Sequence, residues 1–352
     1  MRILAVDLGR AWRGGQVQAL LLSRELVARG HELTVGASEG SALAGRAASA
    51  GLAVLPLPGG FEGSPRLLLH LARAVRRTRP EVLWAGDAKA HGAAVWSGAF
   101  RRVPIVVHRR VVFPPGTHPF ARRKYALADR FLAVSEATRA ALRAYGVPDG
   151  KISVVQDGLP PRAFVDRPSP SPPPYRLVHA GAFDGRKGQA LVVDVLARLA
   201  AAGLDVHATF LGDGPDRSRV EERARGLGVL GRCAFEGHVE DVTPRLAESH
   251  VLLLPSDSEA APLVLLEAMA AGCAVVAHDT GGVGEMTRGG ACGRLVATLD
   301  PGAWASETRQ LLADTRARAA LAAAGREAVA GRTVEKTAAL VESELERSVR
   351  SR

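Results

Sequence analysis

Short apolar runs alternate along this chain with segments whose apolar residues recur every three to four positions. Residues 2–7 form an almost uninterrupted apolar run, and 16–29 carry apolar side chains at helical spacing. The alternation continues with strands expected at 31–36, 82–84, 105–107 and 131–134, and helices at 66–78, 88–99 and 136–145. Past residue 175 it resumes with strands at 176–180, 206–211, 233–236, 251–255 and 274–277. Helices are expected there at 189–202, 216–227, 241–248 and 263–271. Apolar runs without a polar face suit strands buried on both sides, so the pattern predicts parallel sheets covered by helices on both faces.

The two halves meet at Asp166-Arg167-Pro168-Ser169-Pro170-Ser171-Pro172-Pro173-Pro174. Proline fixes φ and removes donors, so neither helix nor strand continues through such a stretch. The expected organisation is a Rossmann-like domain over 1–165, a Pro/Ser linker over 166–175, a second Rossmann-like domain over 176–332, and a last helix within 333–352. Val334, Ala338, Val341 and Leu345 give that helix one apolar face. Two such halves are expected to face each other across a cleft, with ligands at the carboxyl ends of the strands.

A length of 352 residues agrees with two domains, and 47% hydrophobic residues exclude a disordered chain. Three cysteines without a CxxC pair argue against a disulfide framework and a structural zinc site. The N-terminal run is too short for a signal peptide, and no window approaches ~18 apolar residues, so a cytoplasmic protein is expected. Charge adds a sharper constraint. Residues 1–160 hold 23 basic and 11 acidic side chains, a net +12, whereas 161–352 hold 23 and 25, a net −2. A basic first half suits an anionic partner: nucleic acid, an anionic lipid surface or a phosphorylated substrate. Aromatic residues, at 5%, are too sparse for a base-stacking surface, which disfavours nucleic acid.

Several phosphate-binding patterns fail on inspection. Gly212-Asp213-Gly214 begins like a dinucleotide loop but has Arg217 at the third glycine position, and Gly9 to Gly15 is followed by Gln16 instead of Lys-Ser/Thr. There is no DxD pair and no GxSxG. The constellation that holds is Ser258 to Gly272, which follows the run 251–255. Pro262 suits a helix start, and free N–H groups around Leu263 and Val264 would favour a phosphate. Glu259 precedes the helix and Glu267 lies along it. Two carboxylates flanking an anion-binding helix end suit a ligand with hydroxyls on both sides of a diphosphate, such as a nucleotide sugar.

This stretch resembles the E-x7-E motif of the retaining GT-B glycosyltransferases of family 4. The resemblance extends to Arg13-Gly14-Gly15-Gln16, to Ala128 through Glu136, to Lys151 through Gly158, to the loop Gly181–Gly188 and to Gly281-Gly282-Val283-Gly284-Glu285. It implies a GT-B fold and a donor site holding Glu267 on the ribose. Gly14, Gly15, Pro262, Leu263, Val264, Gly181, Gly212, Gly214 and Glu285 would line the donor, with His238 and Val239 near its base. The implied catalytic set is Glu259 at the donor sugar and Lys187 on the leaving diphosphate, with Arg186, His108 and Arg110. Arg186 enters because Ala182 stands where the family carries its basic partner to the lysine. Arg110 enters because His108 comes two positions before the family's histidine. The resemblance further implies a last helix packed back on the first domain and no metal or cofactor beyond the nucleoside-diphosphate sugar. The acceptor is expected to be a cell-envelope glycan or lipid-linked, reached through peripheral contact with an anionic membrane. The rival readings are a nucleotide-sugar epimerase on the same architecture and a non-catalytic basic nucleic-acid-binding protein.

Overall fold

Thirteen strands in two wholly parallel sheets organise the described residues, 1–165 and 170–352, of the computed structural model. One unit comprises Met1–Gly158 with Arg332–Arg352, the other Leu159–Gly331. The first follows the order β1 (Arg2–Asp7), α1 (Gly14–Ala28), β2 (Glu32–Ser38), α2 (Ala42–Ser49), β3 (Ala53–Leu57), α3 (Pro65–Thr78), β4 (Val82–Ala85), α4 (Ala88–Trp96), β5 (Ile105–Arg109), α5 (Pro119–Ala126), β6 (Arg130–Ala133), α6 (Glu136–Ala144) and β7 (Ile152–Val154). Its strands pair as β3-β2-β1-β4-β5-β6-β7. Successive β1 side chains feed opposite cores: Leu4 and Val6 pack with Leu83 and Phe131, Ile3 and Ala5 with Leu22 and Leu26. That two-sided burial is why residues 3–6 contain no polar face.

The second unit runs β8 (Tyr175–Ala180), α7 (Gln189–Ala201), β9 (Val206–Leu211), α8 (Arg217–Gly226), β10 (Cys233–Gly237), α9 (Thr243–Ala247), β11 (Val251–Leu254), α10 (Leu263–Ala271), β12 (Ala274–His278), α11 (Val283–Met286), β13 (Arg294–Val296), α12 (Pro301–Ala313) and α13 (Thr315–Val329). Its sheet order is β10-β9-β8-β11-β12-β13. Both sheets therefore reverse direction beside their first strand, between β1 and β4 and between β8 and β11. Connections leave to opposite sides there, which opens a crevice at the carboxyl ends.

The last helix, α14 (Val334–Arg350), belongs to the first unit. Val334, Ala338, Val341 and Leu345 join the core of Leu22, Leu26 and Val106. Thr337 Oγ1 donates to Gln156 O at 3.1 Å, and the Glu342 carboxylate meets both Arg29 and His31, Oε1 standing 2.6 Å from His31 Nε2.

Several expectations shift. The first unit ends at Gly158, not 165: Leu159 and Ala163 are fully buried against the second unit's α10, and Val165 N donates to Ala270 O. The expected linker is described only from Pro170, whose carbonyl lies 3.0 Å from His250 Nε2; its residues 166–169 lie outside the described residues. Neither α2 nor β3 shows in the apolar pattern. The α2 sequence is mostly Ala, Gly and Ser. Pro56 would argue against a strand, but β3 is at the sheet edge, where the missing N–H costs no ladder bond.

Candidate functional site

The crevice of the second unit draws on five loops. The loop after β8 carries Gly181 through Gly188, and the loop after β11 carries Glu259 and Pro262. Because β8 and β11 are neighbours, these two loops meet, and Lys187 Nζ donates to Glu259 Oε1 at 2.6 Å. Glu259 is 8% exposed, while the Lys187 side chain keeps contact with solvent. The pair sets a cation beside the start of α10. Pro262 is the N-cap of that helix, not its first residue, and Leu263 opens it. The first N–H groups of any helix lack intrahelical acceptors, so Leu263 and Val264 contribute positive potential beside the lysine.

Backbone contacts fix this arrangement. Gly282 N donates to Glu259 O at 3.0 Å, and Gly281 sits at φ 56°, where a Cβ would overlap that same oxygen. The loops after β8 and β9 touch in the same way. A Cβ on Gly212 would overlap Gly181 O, and one on Gly214 would overlap Phe183 O. These glycines thus act first as points of close loop packing.

Glu267 lies just over one turn along α10. Burial pushes its carboxyl up to about 7, the Asp241 carboxylate adds to this, and Arg162 opposes it. Arg162 and Asp241 stand 3.5 Å apart. His238 and Val239, exposed and half-buried, precede Asp241 in the loop after β10. Glu285 occupies the first turn of α11, after β12. Arg186 does not join Lys187. Its guanidinium pairs with Asp184 at 3.1 Å and is more than half exposed.

In the first unit Gly14 and Gly15 open α1. Arg110 donates to Gly15 O at 3.3 Å and to His108 Nδ1 at 3.2 Å, and its guanidinium reaches Asp157 Oδ1 at 3.5 Å. His108 is 2% exposed and tilts against Trp84. Burial, then the Arg110 charge, hold its pKa well below 6.5, so the imidazole is neutral and its Nδ1 accepts. Here His108 and Arg110 form a buried support for the α1 start. Sequence reasoning missed Asp157 in this role and missed Asp87 altogether. Asp87 caps α4 through Ala90 N and accepts from Leu8 N at 2.8 Å. Burial, then the Asp7 carboxylate, raise it to about 6. The available signal was an acid one glycine past the apolar run 82–85.

Among the described residues no group of three or more His, Cys, Asp and Glu could hold a metal ion, and no helix is long and apolar enough to cross a membrane.

Comparison with known proteins agrees with this geometry. Residues 12–162 match the family model described as Glycosyltransferase Family 4, and residues 174–314 match that of Glycosyl transferases group 1. The lipopolysaccharide core biosynthesis glycosyltransferase LpsE of Rhizobium meliloti is 34% identical over 170 residues, 48% of each chain. The alpha-D-kanosaminyltransferase of Streptomyces kanamyceticus is 26% identical over 70% of this chain and 58% of its own. The chain thus spans only about half the length of these curated relatives. Anabaena HepE, solved with UDP and glucose, superposes with a TM-score of 0.86 at 20% identity, over 98% of this chain and 99% of its own, which shows the GT-B fold. With both halves matched, with that fold and with Glu259 and Glu267 set on α10 and the loop before it, the chain belongs to the group 1 glycosyltransferases, family 4.

Proposed function

We propose that this protein is a retaining glycosyltransferase that moves a hexose from a nucleoside-diphosphate donor to a glycan or lipid-linked acceptor of the cell envelope. The observation that carries the reading is the Lys187–Glu259 pair at the β8/β11 crevice, beside the α10 N-terminus. A donor diphosphate there would be met by the Leu263 and Val264 N–H groups and by the Lys187 ammonium. Glu259 would exchange the lysine for a hydroxyl of the donor sugar, and Glu267 would accept from the ribose. Breaking the sugar C1–O bond leaves its electron pair on the diphosphate, where Lys187 balances the charge without a metal. The acceptor oxygen bonds C1 on the vacated face, which retains configuration, and its proton passes to the departing phosphate oxygen.

Support for the donor comes from HepE, solved with UDP and glucose, and support for the acceptor class from the lipopolysaccharide relative. The basic first half suits an anionic or lipid-linked acceptor, and use of a nucleotide sugar fits a cytoplasmic enzyme working at the inner face of the membrane. The test is a thermal-shift screen against UDP, GDP, ADP and TDP, repeated on Glu267→Ala. One diphosphate at about 100 times its dissociation constant should add ~2.7 kcal/mol, and the variant should lose that shift. Sugar transfer should then persist in a chelator. No shift with any diphosphate in the folded protein would overturn the reading.

A further inference from the structure

We infer that Arg162, paired with Asp241 in this structure, is a positioning residue for the donor: it turns to Glu267 once the ribose of a nucleoside diphosphate engages that carboxylate. The inference rests on the proposed role of Glu267 and adds what governs the charge of that side chain.

The second unit brings all three groups together. Arg162 sits in the 3-10 turn Pro161–Ala163, and Ala163 is buried with Leu159, Leu266 and Ala270. Val165 N donates to Ala270 O, so this segment lies along the middle of α10, where Glu267 is. Asp241 comes from the loop after β10, and Thr243 N donates to its Oδ1 at 3.0 Å. Arg162 Nε stands 3.5 Å from Asp241 Oδ2, and both side chains are about half exposed, so the pair can open. Among the described residues the Glu267 carboxylate has no hydrogen-bond or ion-pair partner. Beyond burial, Asp241 disfavours its charge and Arg162 favours it. Other charged groups on the packed elements are engaged elsewhere. On α9, Arg245 pairs with Glu236 and Glu248, on β12 His278 is held by Ser256 O, and on α13 Arg326 lies against Gly272 at the far end of α10.

Two ribose hydroxyls can both donate to one acid only when it is ionised, because a protonated carboxyl must itself donate one bond. Donor binding therefore draws Glu267 into its charged form at a buried position, where a carboxylate needs a cation. Lys187 is committed to the Glu259 end of the site, and Arg162 is the cation beside Glu267. Asp241 competes for it. Deleting the two partners of this one ion pair should thus act in opposite directions.

The test is calorimetric titration of the full chain with UDP, GDP, ADP and TDP at pH 6 and pH 8, in two buffers of different ionisation enthalpy, continued on variants with the diphosphate that binds. The native chain should release close to a full proton on binding at pH 6 and little at pH 8. Arg162→Gln should weaken binding about fivefold, more at pH 6 than at pH 8, and Arg162→Lys should recover most of it. Asp241→Asn, which keeps an acceptor for Thr243 N, should strengthen binding about threefold at pH 6, with a smaller gain at pH 8. In a Glu267→Gln background neither change should alter affinity. Weakening by both variants, a loss that persists without the Glu267 carboxylate, or binding without proton release at pH 6 would overturn the inference and leave the donor reading standing. No binding of any diphosphate to the native chain would overturn both.

Discussion

Lys187 Nζ stands 2.6 Å from Glu259 Oε1 across 72 positions of sequence. The contact follows from topology, since β8 and β11 are adjacent only because the sheet reverses direction at its first strand. In this structure the two charges satisfy each other, and a bound diphosphate would compete for the lysine.

Lys187→Ala should therefore have two separable effects. Glu259 is left buried without its partner, which should cost about 1–3 kcal/mol of stability. Transfer should fall about 10²–10³-fold, because the charge facing the leaving diphosphate is gone. Adding Glu259→Gln should restore much of the melting temperature and none of the transfer. Recovery of transfer in the double variant would refute the role given to Lys187.

Glu267 should set a pH dependence of stability. Its carboxyl is raised from 4.5 to about 7 by burial first and Asp241 second. The folded state thus holds a proton that the unfolded chain releases at lower pH, so this group's contribution weakens as pH rises from about 4.5 through 7. Glu267→Gln should add about 2 kcal/mol at pH 8, after allowance for partial exposure, and nothing near pH 4. The same change should weaken nucleotide binding. Denaturation of both proteins across this range tests the sign, and a benefit at low pH would contradict it.

Gly281 has no polar side chain, yet its substitution should damage the site. At φ 56° a Cβ would overlap Glu259 O, so Gly281→Ala must either distort this turn or displace Glu259. A loss above ~2 kcal/mol and at least tenfold in transfer is expected. Gly289→Ala is the control. Its φ is 66° with nothing near the added carbon, so it should carry only the backbone strain, ~1–2 kcal/mol, and keep transfer.

Most of the architecture was legible because buried parallel strands leave uninterrupted apolar runs. Helix α10 falls on the expected 263–271 for this reason, lying between the runs 251–254 and 274–278. The spacing of Glu259 and Glu267 marked this loop and helix, and the family resemblance pointed to Lys187, which the fold brings to Glu259. Illegible were features that depend on neighbours brought in by the fold. Nothing local shows that Arg186 turns to Asp184, that Gly281 seats the Glu259 carbonyl, or that Leu159 packs under α10. Strand β3 was hidden because Pro56 is acceptable only at an edge, and edge position is a property of the whole sheet.

Arg110 illustrates the same point and yields the last prediction. Sequence suggested a catalytic cation, and in this structure the guanidinium contacts Gly15 O, His108 Nδ1 and Asp157 Oδ1. Asp157 is 5% exposed, and burial raises its pKa against the opposing Arg110 charge. Arg110→Ala leaves that carboxyl buried and alone, which should cost about 3–5 kcal/mol. The loss should grow as pH rises, because Asp157 then ionises in the unfolded chain while the folded state resists it. Adding Asp157→Asn removes the buried charge and should recover most of the stability at pH 8. It does not restore the anchor on Gly15 at the start of α1, so transfer should stay low. Denaturation at pH 5 and pH 8, with transfer assays on native, single and double variants, separates the two effects. A double variant as unstable as the single one would show that the cost lies in the lost Gly15 contact and not in the uncompensated carboxylate.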